Sequence, residues 1–203
     1  NTRPQFTENL EAGLKWHIRS GLDFTAAVFN LDRESYTSID PNNAARIITI
    51  DGSKTTGFEV ALEGYLTDAW SINTGYTYMD GRVEDISATG VQVGVGGLDG
   101  NKPRQLPEHM FSIWNNYQVS DLFSVGLGAT YQDSFFVRED NTVEVPSYIR
   151  FDAAAYYDVS DDLRVQVNIE NLLDESYNPD AHSNDNISTG KPLNARFTVS
   201  TRF

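Results

Sequence analysis

From Leu122 to Gln132 the chain alternates without a break, with Phe123, Val125, Leu127, Ala129 and Tyr131 on one side and Ser124, Gly126, Gly128, Thr130 and Gln132 on the other. Only an extended strand sorts side chains at period two, so this segment predicts a sheet with one apolar and one polar face. The same division separates Leu163, Val165, Val167 and Ile169 from Arg164, Gln166, Asn168 and Glu170. It also separates Phe58, Val60 and Leu62 from Glu59, Ala61 and Glu63. Charge on the second face calls for water or a polar filling.

Three segments launch strands from a tight polar turn: Thr67-Asp68-Ala69-Trp70, Ser120-Asp121-Leu122-Phe123 and Ser160-Asp161-Asp162-Leu163. Nine strands are expected, near 10–18, 22–36, 46–66, 70–80, 108–118, 122–132, 148–158, 163–170 and 194–203. The second, third, sixth and eighth are expected to be long and to project beyond a bilayer, which tilted strands of about 9–11 residues cross. Short connections at 19–21, 67–69, 119–121 and 159–162 alternate with long ones at 39–45, 81–107, 134–146 and 178–191. Short turns on one side and long loops on the other are the asymmetry of an outer-membrane barrel. Trp16, Tyr65, Trp70, Phe123, Tyr157 and Phe203 gather near the short turns, and Tyr36, Tyr78, Phe135 and Tyr177 near the long loops, as two interfacial aromatic belts. A soluble β-sandwich alternates as well and is the competing architecture. With nine antiparallel strands the first and last run the same way, so the sheet is expected to be part of a larger barrel.

Composition is compatible with that reading. A membrane barrel exposes only every second residue to lipid, so a mean hydropathy of -0.42 does not exclude it. No window approaches the roughly 18 apolar residues of a transmembrane helix. The absence of cysteine removes disulfides and thiolate chemistry, and a net charge of -14 argues against nucleic acid as a partner. No enzymatic constellation surrounds His17, His109 or His182, and Gly94-Val95-Gly96-Gly97 fails the dinucleotide pattern because no helix follows. The chain reads as a non-enzyme without a cofactor.

Asn168, Asn171-Leu172, Asp174 and Tyr177 resemble the N-x-x-N-L-[FLT]-[DN]-x-x-Y pattern of the penultimate strand in TonB-dependent outer-membrane receptors. Gly57-Phe58-Glu59-Val60, Gly75-Tyr76-Thr77-Tyr78-Met79-Asp80 and Pro107-Glu108-His109-Met110-Phe111-Ser112 are similar to further motifs of that family, in its order and spacing. The final strand, with Phe197, Val199 and Phe203, resembles the family's ending, which the barrel assembly machinery reads. Val145 to Ala153 followed by Asn171-Leu172 looks most like the receptors for ferric siderophores of the catecholate type. The resemblance implies an all-β fold in which residues 1–203 are the carboxyl-terminal part of a barrel of about 22 strands. It implies a bacterial outer-membrane site among lipid, active transport of a ferric siderophore, and coupling to TonB through a plug domain outside these residues. A receptor for another ligand, such as a cobalamin or an oligosaccharide, is the alternative within the family.

For an anionic ferric chelate the useful groups are Arg82, Lys102, Arg104, Arg138 and Lys191, with Tyr78, Phe135 and Phe136 to stack on catechol rings. Solvation of the loops explains any one of these residues equally well, and the acidic residues of the same loops outnumber the cations. Asp180, His182 and Asp185 are spaced as an ordinary polar surface loop, so no metal is assigned to them. Inward Lys15, Glu59, Glu63, Arg150, Asp152, Arg164 and Glu170 are expected to face water or a plug.

Overall fold

The alternating runs pair into one sheet in a computed structural model that describes residues 4–40, 43–84 and 98–202. Its strands in chain order are β1 (Phe6–Arg19), β2 (Leu22–Asp40), β3 (Asn43–Thr67), β4 (Trp70–Glu84), β5 (His109–Ser120), β6 (Phe123–Gln132), β7 (Phe135–Phe136), β8 (Glu144–Val145), β9 (Tyr148–Ser160), β10 (Leu163–Glu170), β11 (Asp180–Ser183), β12 (Asn186–Ser188) and β13 (Asn194–Thr201). Nine of them form the sheet, in the order β1-β2-β3-β4-β5-β6-β9-β10-β13, while β7 pairs with β8 and β11 with β12. Every sheet neighbour is antiparallel, which leaves β1 and β13 as unclosed edges running in the same direction.

Register keeps the faces separate across the sheet. Leu14, Ala26 and Val60 lie in one cross-strand row, and Leu127 lies between Asn115 and Ala153 in another. The apolar face is the open one: Leu10 is 73% exposed, Phe197 65% and Leu127 54%. The polar face is covered in places, with Ser124 8% exposed and the Trp114 ring lying over Gly126 and Gly128. A β-carbon at either glycine would clash with that ring. A soluble sandwich packs a second sheet on its apolar face; among the described residues none lies there. Lipid is the medium that such a surface requires, so the sheet is a piece of outer-membrane barrel wall.

Three of the four short turns sit where the Ser/Thr-Asp segments fall, and a register shift accompanies each of the four at His17/Arg19, Tyr65/Thr67, Gln118/Ser120 and Leu163/Arg164. The expected long loop at 39–45 is instead a tight hairpin, with Asp40 opposite Asn43. The β-branched run Ile47-Ile48-Thr49-Ile50 keeps pairing with Tyr36 to Ile39, and β2 and β3 reach 19 and 25 residues. The sixth and eighth strands of the sheet keep their expected bounds to within one residue but, at 10 and 8 residues, are not the long strands expected to project beyond a bilayer. Both end where polar side chains take over backbone hydrogen bonds, at Asp133 with the Ser134 N–H and at Asn171.

The aromatic belt at the long-loop side also differs. Phe135 and Tyr177 are 3% and 7% exposed and pack among loops, and the Tyr36 side chain lies outside the described residues. The outward rim is built by Phe58, whose ring centroid is 5.7 Å from both Tyr76 and Tyr78, and by His109, 5.1 Å from Tyr78. Beyond it the same face becomes charged. Asp32, Lys54 and Arg82 form one cross-strand row, with Lys54 3.0 Å from Glu84 and 3.8 Å from Asp32. That change from ring to charge marks where the outer face leaves hydrocarbon. Leu127→Arg, at mid-strand on the lipid face, is expected to cost about 2–4 kcal/mol in reversible unfolding of the receptor from lipid vesicles. Gln166→Arg on the inner face should change stability by far less; equal costs would reverse the assignment of the faces.

Candidate functional site

The long-loop side is organised by three polar hubs. The first closes β10. Asn171 adopts φ 57°, a left-handed conformation that asparagine tolerates, and its fully buried side chain replaces the lost ladder. Its Nδ2 donates to the carbonyls of Glu175 and Lys191 at 2.8 and 3.0 Å, and its Oδ1 accepts from the Glu175 N–H at 2.9 Å. Asp152 Oδ1 accepts from the Asn171 N–H at 2.8 Å, and Asp174 Oδ1 from the Leu193 N–H at 2.8 Å. The returning loop lays Tyr177 against Gly190 and 4.6 Å from the Tyr148 ring. The Asn-Leu motif is therefore a turn device.

The second hub is the segment 98–107, which lies across the inner face as a strap. Leu98 packs with Ile50 and Val83, and Leu106 and Pro103 lie against Gly81. Backbone bonds tie Val83 to Asn101 and Gly100 at 2.8 and 2.9 Å. At its other side the Lys102 N–H donates to Asn141 Oδ1 and the Lys102 carbonyl accepts from Asn141 Nδ2, both at 2.9 Å. Gln105 donates from its backbone to the Phe136 carbonyl at 2.8 Å and from its side chain to the Ala181 carbonyl. Phe135, Val137, Val145 and Ala181 form a small apolar core beneath these contacts.

Glu139 is the third hub, 3% exposed. It accepts the Ser38 hydroxyl at 2.7 Å and lies 3.9 Å from Arg104 Nε, while its carbonyl accepts from Asn101 Nδ2 at 2.7 Å. A buried carboxylate with these partners joins β2, the strap and the β6–β9 loop. Beside it opens a groove of about 250 Å³ lined by Thr37, Ser38, Arg104, Arg138, Glu139 and His182.

Of the residues expected to bind an anionic chelate, the groove gathers Arg104 and Arg138. Arg138 has no carboxylate partner among the described residues, whereas Lys102 is 2.6 Å from Glu108 and Lys191 3.6 Å from Glu170. Arg82 pairs with Asp80 at 2.7 Å on the outward ladder, and Tyr78 stands in the outward aromatic rim. Their strand parity turns both away from the vestibule. Phe135 is sealed in the loop core, and Phe136 is half-buried beside it. Asp180, His182 and Asp185 do not gather within reach of one ion. Phe197 and Val199 point outward on edge strand β13, while Phe203 and Gly94 to Gly97 lie outside the described residues.

Sequence reasoning missed Glu139, because a lone acid in a polar loop gives no signal of burial. It also gave no partner to Arg150, which donates to Asp152 Oδ2 at 2.9 Å and to the Tyr177 hydroxyl at 2.9 Å and approaches Glu170 at 3.8 Å on the inner wall. Asn171→Ala would strand buried backbone groups at a cost of about 1–3 kcal/mol each and place alanine at a positive φ. Chemical denaturation of the receptor should show a loss of more than about 2 kcal/mol; a change below the error of the measurement would refute the turn's role.

The chain matches the TonB dependent receptor-like β-barrel model over residues 1–172. It is 32% identical over 208 residues to the probable TonB-dependent siderophore receptor PiuA of Acinetobacter baumannii, covering 98% of this chain and 27% of that protein. It is 31% identical over 180 residues to the catecholate siderophore receptor Fiu of Escherichia coli K12, covering 86% of this chain and 23% of that protein. The crystal structure of the siderophore receptor PiuA superposes with a TM-score of 0.82 at 32% identity over 96% of this chain and 28% of that one. The chain thus spans about a quarter of the length of the curated relatives it matches. With an open sheet whose apolar face is outward, the Asn171 turn at the end of β10 and a match to these receptors along its length, the chain belongs to the TonB-dependent receptor β-barrel family.

Proposed function

We propose that this chain supplies the carboxyl-terminal wall and part of the extracellular vestibule of an outer-membrane receptor that imports ferric siderophores of the catecholate class. The observation that carries the reading is the groove at the long-loop mouth, where Arg138, without a carboxylate partner among the described residues, stands beside Arg104. A guanidinium binds oxyanions through paired donors, and an unpaired one loses no internal ion pair when it does so. The siderophore receptors PiuA and Fiu, to which the chain is similar along most of its length, support this substrate class. Lys191 and Lys102 lie on the same side of the wall, held by Glu170 and Glu108, and complete a cationic periphery. Arg82 and Tyr78 are left out of the proposal because they face the outer surface.

In this reading transport needs two things that the chain does not contain by itself. The remaining strands close β1 and β13 into a barrel, and a plug, engaged by TonB, fills the lumen against inward Lys15, Glu59, Glu63, Arg150, Asp152, Arg164 and Glu170. Phe197 and Val199 on β13 serve as part of the assembly signal. No hydrolytic or redox chemistry is assigned to these residues. Arg138→Ala in the intact receptor should raise the Kd for a ferric catecholate about tenfold, the loss of one charge-assisted contact. Arg104→Ala should act in the same direction, and Arg82→Ala and Tyr78→Ala should leave binding unchanged. Fluorescence-quenching titration checks this; a weaker Arg82→Ala with a normal Arg138→Ala would overturn the assignment.

A further inference from the structure

The Pro107-Glu108-His109 motif is not used by the groove, yet with Asp133 its Glu108 and His109 form a group of three metal-ligating side chains. His109 opens β5 with Glu108 just before it, and Asp133 follows β6. The Asp133 N–H donates to the His109 carbonyl at 2.9 Å, so the two chain ends are fixed against each other. One ligand atom from each of Glu108, His109 and Asp133 lies within 4.8 Å of the others, and all three residues are half-buried.

Each side chain is held by a group outside the trio. His109 Nδ1 is 2.8 Å from the Tyr76 hydroxyl, Glu108 Oε1 is 2.6 Å from Lys102 Nζ, and Asp133 Oδ1 accepts from the Ser134 N–H at 2.9 Å and the Tyr131 hydroxyl at 3.3 Å. None of these tethers uses the second ring nitrogen of His109 or the second oxygen of either carboxylate. A metal-ligating histidine is oriented in this way, with its other nitrogen bound to an oxygen. Two carboxylates also carry more negative charge here than Lys102 offsets.

We infer that Glu108, His109 and Asp133 bind a divalent transition metal ion at the outer rim of the barrel wall. One imidazole nitrogen and two carboxylate oxygens suit Zn²⁺ or a neighbouring borderline ion, with water in the remaining positions. Metal–ligand bonds of about 2.0–2.2 Å require the three side chains to draw together by rotation. The ion competes with the Lys102 ammonium for Glu108. Occupancy therefore joins the β5 and β6 rim and releases the side chain of a residue in the strap.

The test uses the intact receptor in detergent, stripped with a chelator that is then removed, and Zn²⁺ titrated against a chromophoric competitor. Wild type should take up one ion more than His109→Ala. Asp133→Asn should weaken that step at least about tenfold, Lys102→Ala should tighten it, and His182→Ala should leave it unchanged. Equal stoichiometry and affinity in wild type, His109→Ala and Asp133→Asn would overturn the site, as would a wild type that takes up no Zn²⁺ at micromolar concentration. If heat-modifiable gel migration shows that the ligand variants do not fold, Lys102→Ala decides: tighter binding supports the site, and unchanged or weaker binding overturns it.

Discussion

Every main-chain group of a segment in hydrocarbon must find its partner within the protein, and this single constraint dictates the sheet. Nine strands satisfy one another's ladders in chain order, and the period of two then delivers alternate side chains to lipid and to the interior. The large exposed apolar side chains, an aggregation hazard in water, become the means by which the wall is held in the membrane. The polar face, screened by Trp114 and by the strap at 98–107, becomes the interior. Edges at β1 and β13 carry the same requirement outward, since an unpaired ladder in lipid demands further strands.

Above the membrane the rule changes, because water is available and single side chains can do what ladders do below. Asn171 binds the carbonyls of Glu175 and Lys191, and Asn141 binds both backbone groups of Lys102 and so helps join the strap to the β6–β9 loop. Glu139 ties Ser38, Asn101 and Arg104. Asn171 and Glu139 are buried, so breaking either leaves stranded partners and not merely a weaker contact. The loop side is thereby a tied surface on which Arg138 has no carboxylate partner among the described residues.

Much of this fold was legible in the sequence. Period two named the strands and their faces, the Ser/Thr-Asp turns identified the short side, and the odd strand count implied missing neighbours. Strand lengths were less legible, because pairing persists as long as both partners can pair, as at Ile47 to Ile50 with Tyr36 to Ile39. The candidate site was read in fragments. Arg104 and Arg138 line one groove, whereas Arg82 and Tyr78 face outward, and one residue of parity decides the difference.

The sequence by itself determined the β architecture, the lipid face, the polarity of the sheet and the family, because each of these follows from local periodicity and short motifs. Only the tertiary structure decided which cations are paired with a carboxylate, which acids are buried, and that His109 and Asp133 face each other with Glu108 beside them. The reason is physical: an ion pair, a hub or a ligand set joins residues tens of positions apart, and alternation along one strand carries no record of what the next loop brings against it.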